Sequence, residues 1–163
     1  MIRLSLVSVG MVEETAGVIL VLRAPELERL LVMEVGLLEG RAVAMEAEGV
    51  KAPRPLTHDL LLQVIESLGA SVAEVQIREF RDKTFFANLV LVQPDGNRLE
   101  LDARPSDAIA VALRAGAPIF ATEEVIASAG MEEEEEGDAE DGEDEIDLEE
   151  DEEDEENEEH TVH

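Results

Sequence analysis

Two short segments carry the residue types from which chemistry could be built. Arg54-Pro55-Leu56-Thr57-His58-Asp59 and Arg104-Pro105-Ser106-Asp107 each set an arginine and a proline ahead of a hydroxyl residue, with an aspartate just behind. His58 is the one histidine before Gly130. Glu39 joins them through a repeat described below. If these segments converge, Asp59, Asp107 and Glu39 supply hard oxygen ligands suited to Mg²⁺ or Mn²⁺. His58 beside a carboxylate is a candidate general base. Arg54 and Arg104 are forks for phosphate, and Thr57 and Ser106 are hydroxyl donors at helix starts, where anions bind. Catalytic roles therefore fall to His58, Asp59 and Asp107. Phosphate binding falls to Arg54, Thr57, Arg104 and Ser106. Together these groups could perform metal-assisted phosphodiester hydrolysis.

Each segment alone also has a purely structural explanation. A Ser or Thr N-cap satisfies an orphan N–H, worth about 1 kcal/mol. An acidic residue in the first turn complements the helix dipole by about 0.3–1 kcal/mol. Other chemistries lack their signatures. There is no G-x-S-x-G, H-E-x-x-H, P-loop or dinucleotide glycine pattern. With no cysteine, disulfides and thiolate zinc sites are excluded.

The elements that must position these residues follow from hydrophobic period. Alternation around Ile2–Leu6, Val75–Ile77, Phe85–Val92 and Leu99–Leu101 predicts half-buried strands, and the runs Gly17–Leu22 and Leu30–Met33 predict buried ones. Turns are expected at Arg81–Lys83 and at Pro94–Asn97. Helices are expected from Leu38 to Glu48, from a Thr57 cap to Gly69, and from a Ser106 cap to Gly116. A short fourth helix begins after Thr122. The second helix shows an apolar stripe of Leu60, Leu61, Val64, Ile65 and Leu68. The segment Glu39–Met45 resembles Asp107–Leu113, and the preceding strands keep the same offset, Leu31 with Leu99 and Met33 with Leu101. The expected fold is α+β, a duplicated unit of about three strands and two helices forming a mixed sheet packed with helices.

Charge divides the chain. Of 41 acidic residues in 163, 22 follow Gly130, where no Lys or Arg occurs. The body keeps 19 acidic against 12 basic residues, a net charge of −7 within −29 for the whole. Residues 1–130 are thus expected to form the folded domain. Residues 131–163 are expected to be a disordered acidic tail, able to contact a basic partner. Binding nucleic acid through charge alone is disfavoured. Trp and Tyr are absent and Phe occurs four times, so base-stacking surfaces are scarce. No apolar run approaches the roughly 20 residues of a membrane helix, and the N-terminus lacks secretory-signal features. A soluble, cytoplasmic protein is expected.

Four stretches together resemble the bifunctional nuclease domain family: Pro53-Arg-Pro-Leu-Thr-His-Asp-Leu60, Phe85-Phe-Ala-Asn-Leu89, Asp102-Ala-Arg-Pro-Ser-Asp-Ala-Ile109 and Gly116-Ala-Pro-Ile119. The resemblance spans Ile2 to about Ala129 and leaves out the tail. Val35 and Val43 stand where the family pattern around Glu39 has Ile. The resemblance implies nuclease activity on DNA and RNA, an internally duplicated α+β fold and a homo-oligomer. It places polar motif positions at Glu39, Thr57, His58, Asp59, Arg104, Ser106 and Asp107. The leading expectation is therefore a nuclease assisted by Mg²⁺ or Mn²⁺, with nucleic acid as partner. The alternative is a non-catalytic oligomeric binding or scaffold module whose tail recruits a basic partner. A third option is an anion or nucleotide sensor using the same helix ends.

Overall fold

A computed structural model describes residues 1–133. The acidic tail expected from 131 onward lies outside the described residues from 134. The elements run β1 (Ile2–Val12), β2 (Gly17–Ala24), β3 (Arg29–Val35), α1 (Leu37–Ala47), α2 (Thr57–Ser67), β4 (Ser71–Arg81), β5 (Thr84–Val92), β6 (Arg98–Ala103), α3 (Pro105–Ala115), β7 (Ile119–Ala121), α4 (Glu123–Ala129) and β8 (Gly130–Glu132). The fold is α+β with one mixed eight-stranded sheet, in the order β6-β5-β4-β7-β1-β2-β3-β8. Neighbours are antiparallel except β4 and β7.

Two meanders, β1-β2-β3 and β4-β5-β6, are each followed by a helix, α1 and α3. This is the order suggested by the sequence offset. It describes arrangement and says nothing of origin. The short strand β7 joins the meanders, pairing with β1 on one side and with β4 on the other.

α1 packs on β1 and β2, α3 packs on β4 and β5, and the two helices pack on each other. α4 touches both β3 and β4, which are far apart in the sheet order, so the sheet curls. Bulges in β1 and β4 favour that curl by adding local twist. Leu20, Leu22, Ile77 and Ile109 are wholly buried between sheet and helices. Truncating one of them to Ala costs about 2–5 kcal/mol.

A close approach fixes the start of α1. A Cβ at Gly40 would stand 2.3 Å from the Val18 Cβ, so the α1 backbone lies directly on β2. Only glycine permits that contact, and it sets the depth at which the adjacent Glu39 sits. The third helix is buried as its composition predicts, with Ala108 to Ala112 inside the core. Of the α2 stripe, only Ile65 is buried, while Leu60, Leu61, Val64 and Leu68 remain exposed.

Candidate active site

The first turns of α1, α2 and α3 face one another and build a continuous polar network. Asp107, in the first turn of α3, is its centre. Its Oδ1 lies 3.0 Å from His58 Nε2, and its Oδ2 accepts from Arg104 Nε at 2.6 Å. Arg104 Nη2 continues to Glu39 Oε1 at 3.0 Å. Burial pushes the Asp107 carboxyl up, but hydrogen bonds from Arg104 and His58 outweigh it, and its pKa falls below the ordinary value. Asp107 is therefore ionised near neutral pH and can only accept hydrogen bonds. It follows that His58 Nε2 carries the hydrogen between them, which leaves Nδ1 of the neutral ring as an acceptor.

The His58 side chain is 12% exposed and Arg104 is 66% exposed. The network lines a cavity of about 690 Å³ to which Thr57 and Arg41 also contribute. Arg41 went unnoticed in the sequence. It lies two residues after Glu39 on α1, is exposed, and has no ion pair among the described residues. Its proximity to Glu39 was the available signal.

Asp59 belongs to a different cluster. Its Oδ2 accepts from the Leu56 backbone N–H at 2.8 Å, and its Oδ1 accepts from Arg114 Nε at 2.6 Å. The Leu56 amide, then Arg114, hold its pKa below the ordinary carboxyl value. Arg114 is 5% exposed and also donates to the carbonyls of Ala42 and Ala110. It thereby ties α3 to α1 and, through Asp59, to α2. Successive residues of a helix point about 100° apart, which is why neighbouring His58 and Asp59 serve different partners.

The remaining expected residues are placed as follows. Arg54 lines a neighbouring cavity of about 340 Å³ with Asp59, Lys51 and Arg114, so it does not share a cavity with Arg104. Neither hydroxyl caps its helix. Leu56 and Arg104 occupy the N-cap positions, and neither side chain caps a first-turn amide. Thr57 is instead the first residue of α2. Ser106 is the second of α3, because Pro105 starts that helix one position earlier. Ser106 is buried and lines a third cavity.

The donor set expected for Mg²⁺ or Mn²⁺ does not assemble in this arrangement. Among the described residues no group of three or more His, Cys, Asp or Glu side chains could hold a metal ion. Asp59 is committed to Arg114, and the Arg104 guanidinium already bridges Glu39 and Asp107.

Among the described residues no helix is long and apolar enough to cross a membrane. Residues 20–134 match the family model described as the bifunctional nuclease domain. The chain is 43% identical over 120 residues to two proteins of Mycobacterium tuberculosis. They are Uncharacterized protein MT1877 of strain CDC 1551 / Oshkosh and Uncharacterized protein Rv1829 of strain ATCC 25618 / H37Rv. Each alignment covers 74% of this chain and 71% of the relative. With its site motifs inside the matched region, the chain belongs to the bifunctional nuclease domain family.

Proposed function

We propose that the chain hydrolyses phosphodiester bonds of DNA or RNA, with His58 transferring the proton. The observation that carries this reading is the 3.0 Å contact between His58 Nε2 and Asp107 Oδ1 at an open cavity. Asp107 fixes the tautomer and stabilises the imidazolium formed when Nδ1 takes a proton from the attacking water. The water oxygen bonds to phosphorus as the P–O bond to the leaving oxygen breaks, and the imidazolium gives its proton to that oxygen. Such general-base assistance contributes about 10²–10⁴-fold. Arg41 supplies positive charge for the phosphate, because Arg104 is already shared between two carboxylates. The net charge of −29 opposes binding of a polyanion, but beyond about 8 Å that repulsion is screened at physiological salt.

Purified chain incubated with single- and double-stranded DNA and RNA tests the reading, in Mg²⁺, Mn²⁺ or EDTA. Cleavage lost in His58→Asn and Asp107→Asn, with circular dichroism unchanged, supports it. Undiminished cleavage in both variants overturns the site. Activity in EDTA separates proton transfer by His58 from the metal-assisted route expected from the sequence.

A second reading, a non-catalytic binding or scaffold module, is favoured by the internal pairing of both Asp107 oxygens. Under it, Asp107→Asn lowers the melting temperature and there is no cleavage to lose. The exposed Leu60, Leu61, Val64 and Leu68 of α2 support a homo-oligomer under either reading, tested by sedimentation equilibrium.

A further inference from the structure

The third cavity, of about 650 Å³, adjoins the His58 network at Arg104 and is bounded by β3, the β4–β5 turn, the start of α3 and the end of α4. Its lining is divided by polarity. Met33, Val35, Phe80 and Phe85 contribute apolar surface, and the two phenyl rings lie 4.4 Å apart between centroids. Three of the chain's four Phe residues, Phe80, Phe85 and Phe86, belong to this one hairpin. Aromatic surface, scarce overall, is thus concentrated here.

The other part is the N-terminus of α3. The Ala108 amide bonds back to the Arg104 carbonyl, so the amides of Ser106 and Asp107 precede the first helical bond. Ser106 is 6% exposed, and among the described residues its hydroxyl has no hydrogen-bond partner. No fully enclosed polar side-chain atom among the described residues lacks a partner, so the Ser106 hydroxyl keeps a little surface, and Ser106 lines this cavity. Lys83, in the β4–β5 turn, lines the same space. Glu34 is its one carboxylate, and its Oε1 already accepts from the Thr15 hydroxyl at 2.6 Å.

We propose that this cavity binds a nucleoside monophosphate. The phosphate meets the Ser106 hydroxyl and the free α3 amides, with Lys83 as counter-charge. The base lies against Phe80 and Phe85, whose rings offer it a stacking surface. Glu34 is placed as an acceptor for ribose hydroxyls. Arg104 lines both this cavity and the His58 cavity, so a nucleotide held here adjoins the proposed cleavage site. The choice of a nucleotide rests on the phosphodiesterase reading, whereas the opening onto Ser106 does not.

Calorimetric titration of the full chain with adenosine 5′-monophosphate, adenosine and inorganic phosphate tests this. The monophosphate should bind at least fivefold more tightly than either fragment. Ser106→Ala and Lys83→Asn should each weaken it at least threefold; asparagine suits the left-handed backbone at Lys83, φ 58°. If Ser106→Ala unfolds, Lys83→Asn decides alone. Monophosphate affinity unchanged in the folded variants, no binding at millimolar concentration, or inorganic phosphate binding equally well would each overturn the proposal. Cleavage is measured on the same samples. Binding without cleavage keeps the nucleotide site and sinks the hydrolytic reading, and cleavage without binding does the reverse.

Discussion

The Asp107–Arg104 and Asp59–Arg114 pairs use the same two side-chain types, and both carboxylates lie in the first turn of a helix. In each, an arginine Nε meets a carboxylate oxygen at 2.6 Å. Their surroundings separate them. The Arg114 side chain is 5% exposed, and its Nη1 donates to backbone carbonyls of two helices. Arg104 is 66% exposed, and its carboxylate partner also holds an imidazole beside an open cavity. Burial and bonds to backbone make the first pair a bolt among three helices. Exposure and the imidazole contact make the second the candidate site. Identical chemistry in the sequence therefore does not imply identical roles.

The sharpest way to break this contrast is to remove the bolt. Arg114→Met should cost about 1–3 kcal/mol in urea unfolding, because it leaves Asp59 without its charged partner and unties α3 from α1. A loss under about 1 kcal/mol would mean that the two clusters are energetically alike. Next in size, His58→Asn should reduce cleavage by about 10²-fold or more while moving stability by less than about 1 kcal/mol.

Acid titration sharpens the same comparison. The Asp59 and Asp107 carboxyls both sit below their ordinary value of 3.8, so the folded chain binds these protons less tightly than the unfolded one. The stability they contribute is present above that value and is lost as pH falls below it, through the lower values of the folded chain. Urea midpoints should drop below about pH 4, and Asp59→Asn should flatten that limb. The smallest effect belongs to Arg41→Gln. Stability should change within about 0.5 kcal/mol, while oligonucleotide binding weakens severalfold and its log–log salt slope becomes shallower by about one.

The sequence made most of the sheet legible because six strands alternate or run apolar for long enough to show a period. β7 escaped notice because three residues after Pro118 carry no period, and it exists through its pairing with β1 and β4. β8 was hidden because it starts the acidic run, and its pairing with β3 is a long-range fact. The Thr57 and Ser106 caps were assigned from residue preference, but each helix starts no later than the hydroxyl itself. Asp59 then reaches back to the Leu56 amide, so the acidic residue and not the hydroxyl bonds backbone at the start of α2. Within the site, types and spacing pointed to His58, Asp107, Arg104 and Glu39. The separation of Asp59 from them depends on where Arg114 arrives. In the sequence, Arg114 was an ordinary basic residue near a helix end.

The three-residue strand β8 decides where the chain can be shortened. A cut at the change of composition, after Gly130, would leave the outer edge of β3 largely bare. It would also remove Glu132 and Glu133, the partners of Arg29 and Arg23. An open strand edge invites pairing between molecules. A version ending at 133 keeps that margin covered, and a comparison of its shelf life with that of a version ending at 130 would isolate what three residues do for solubility.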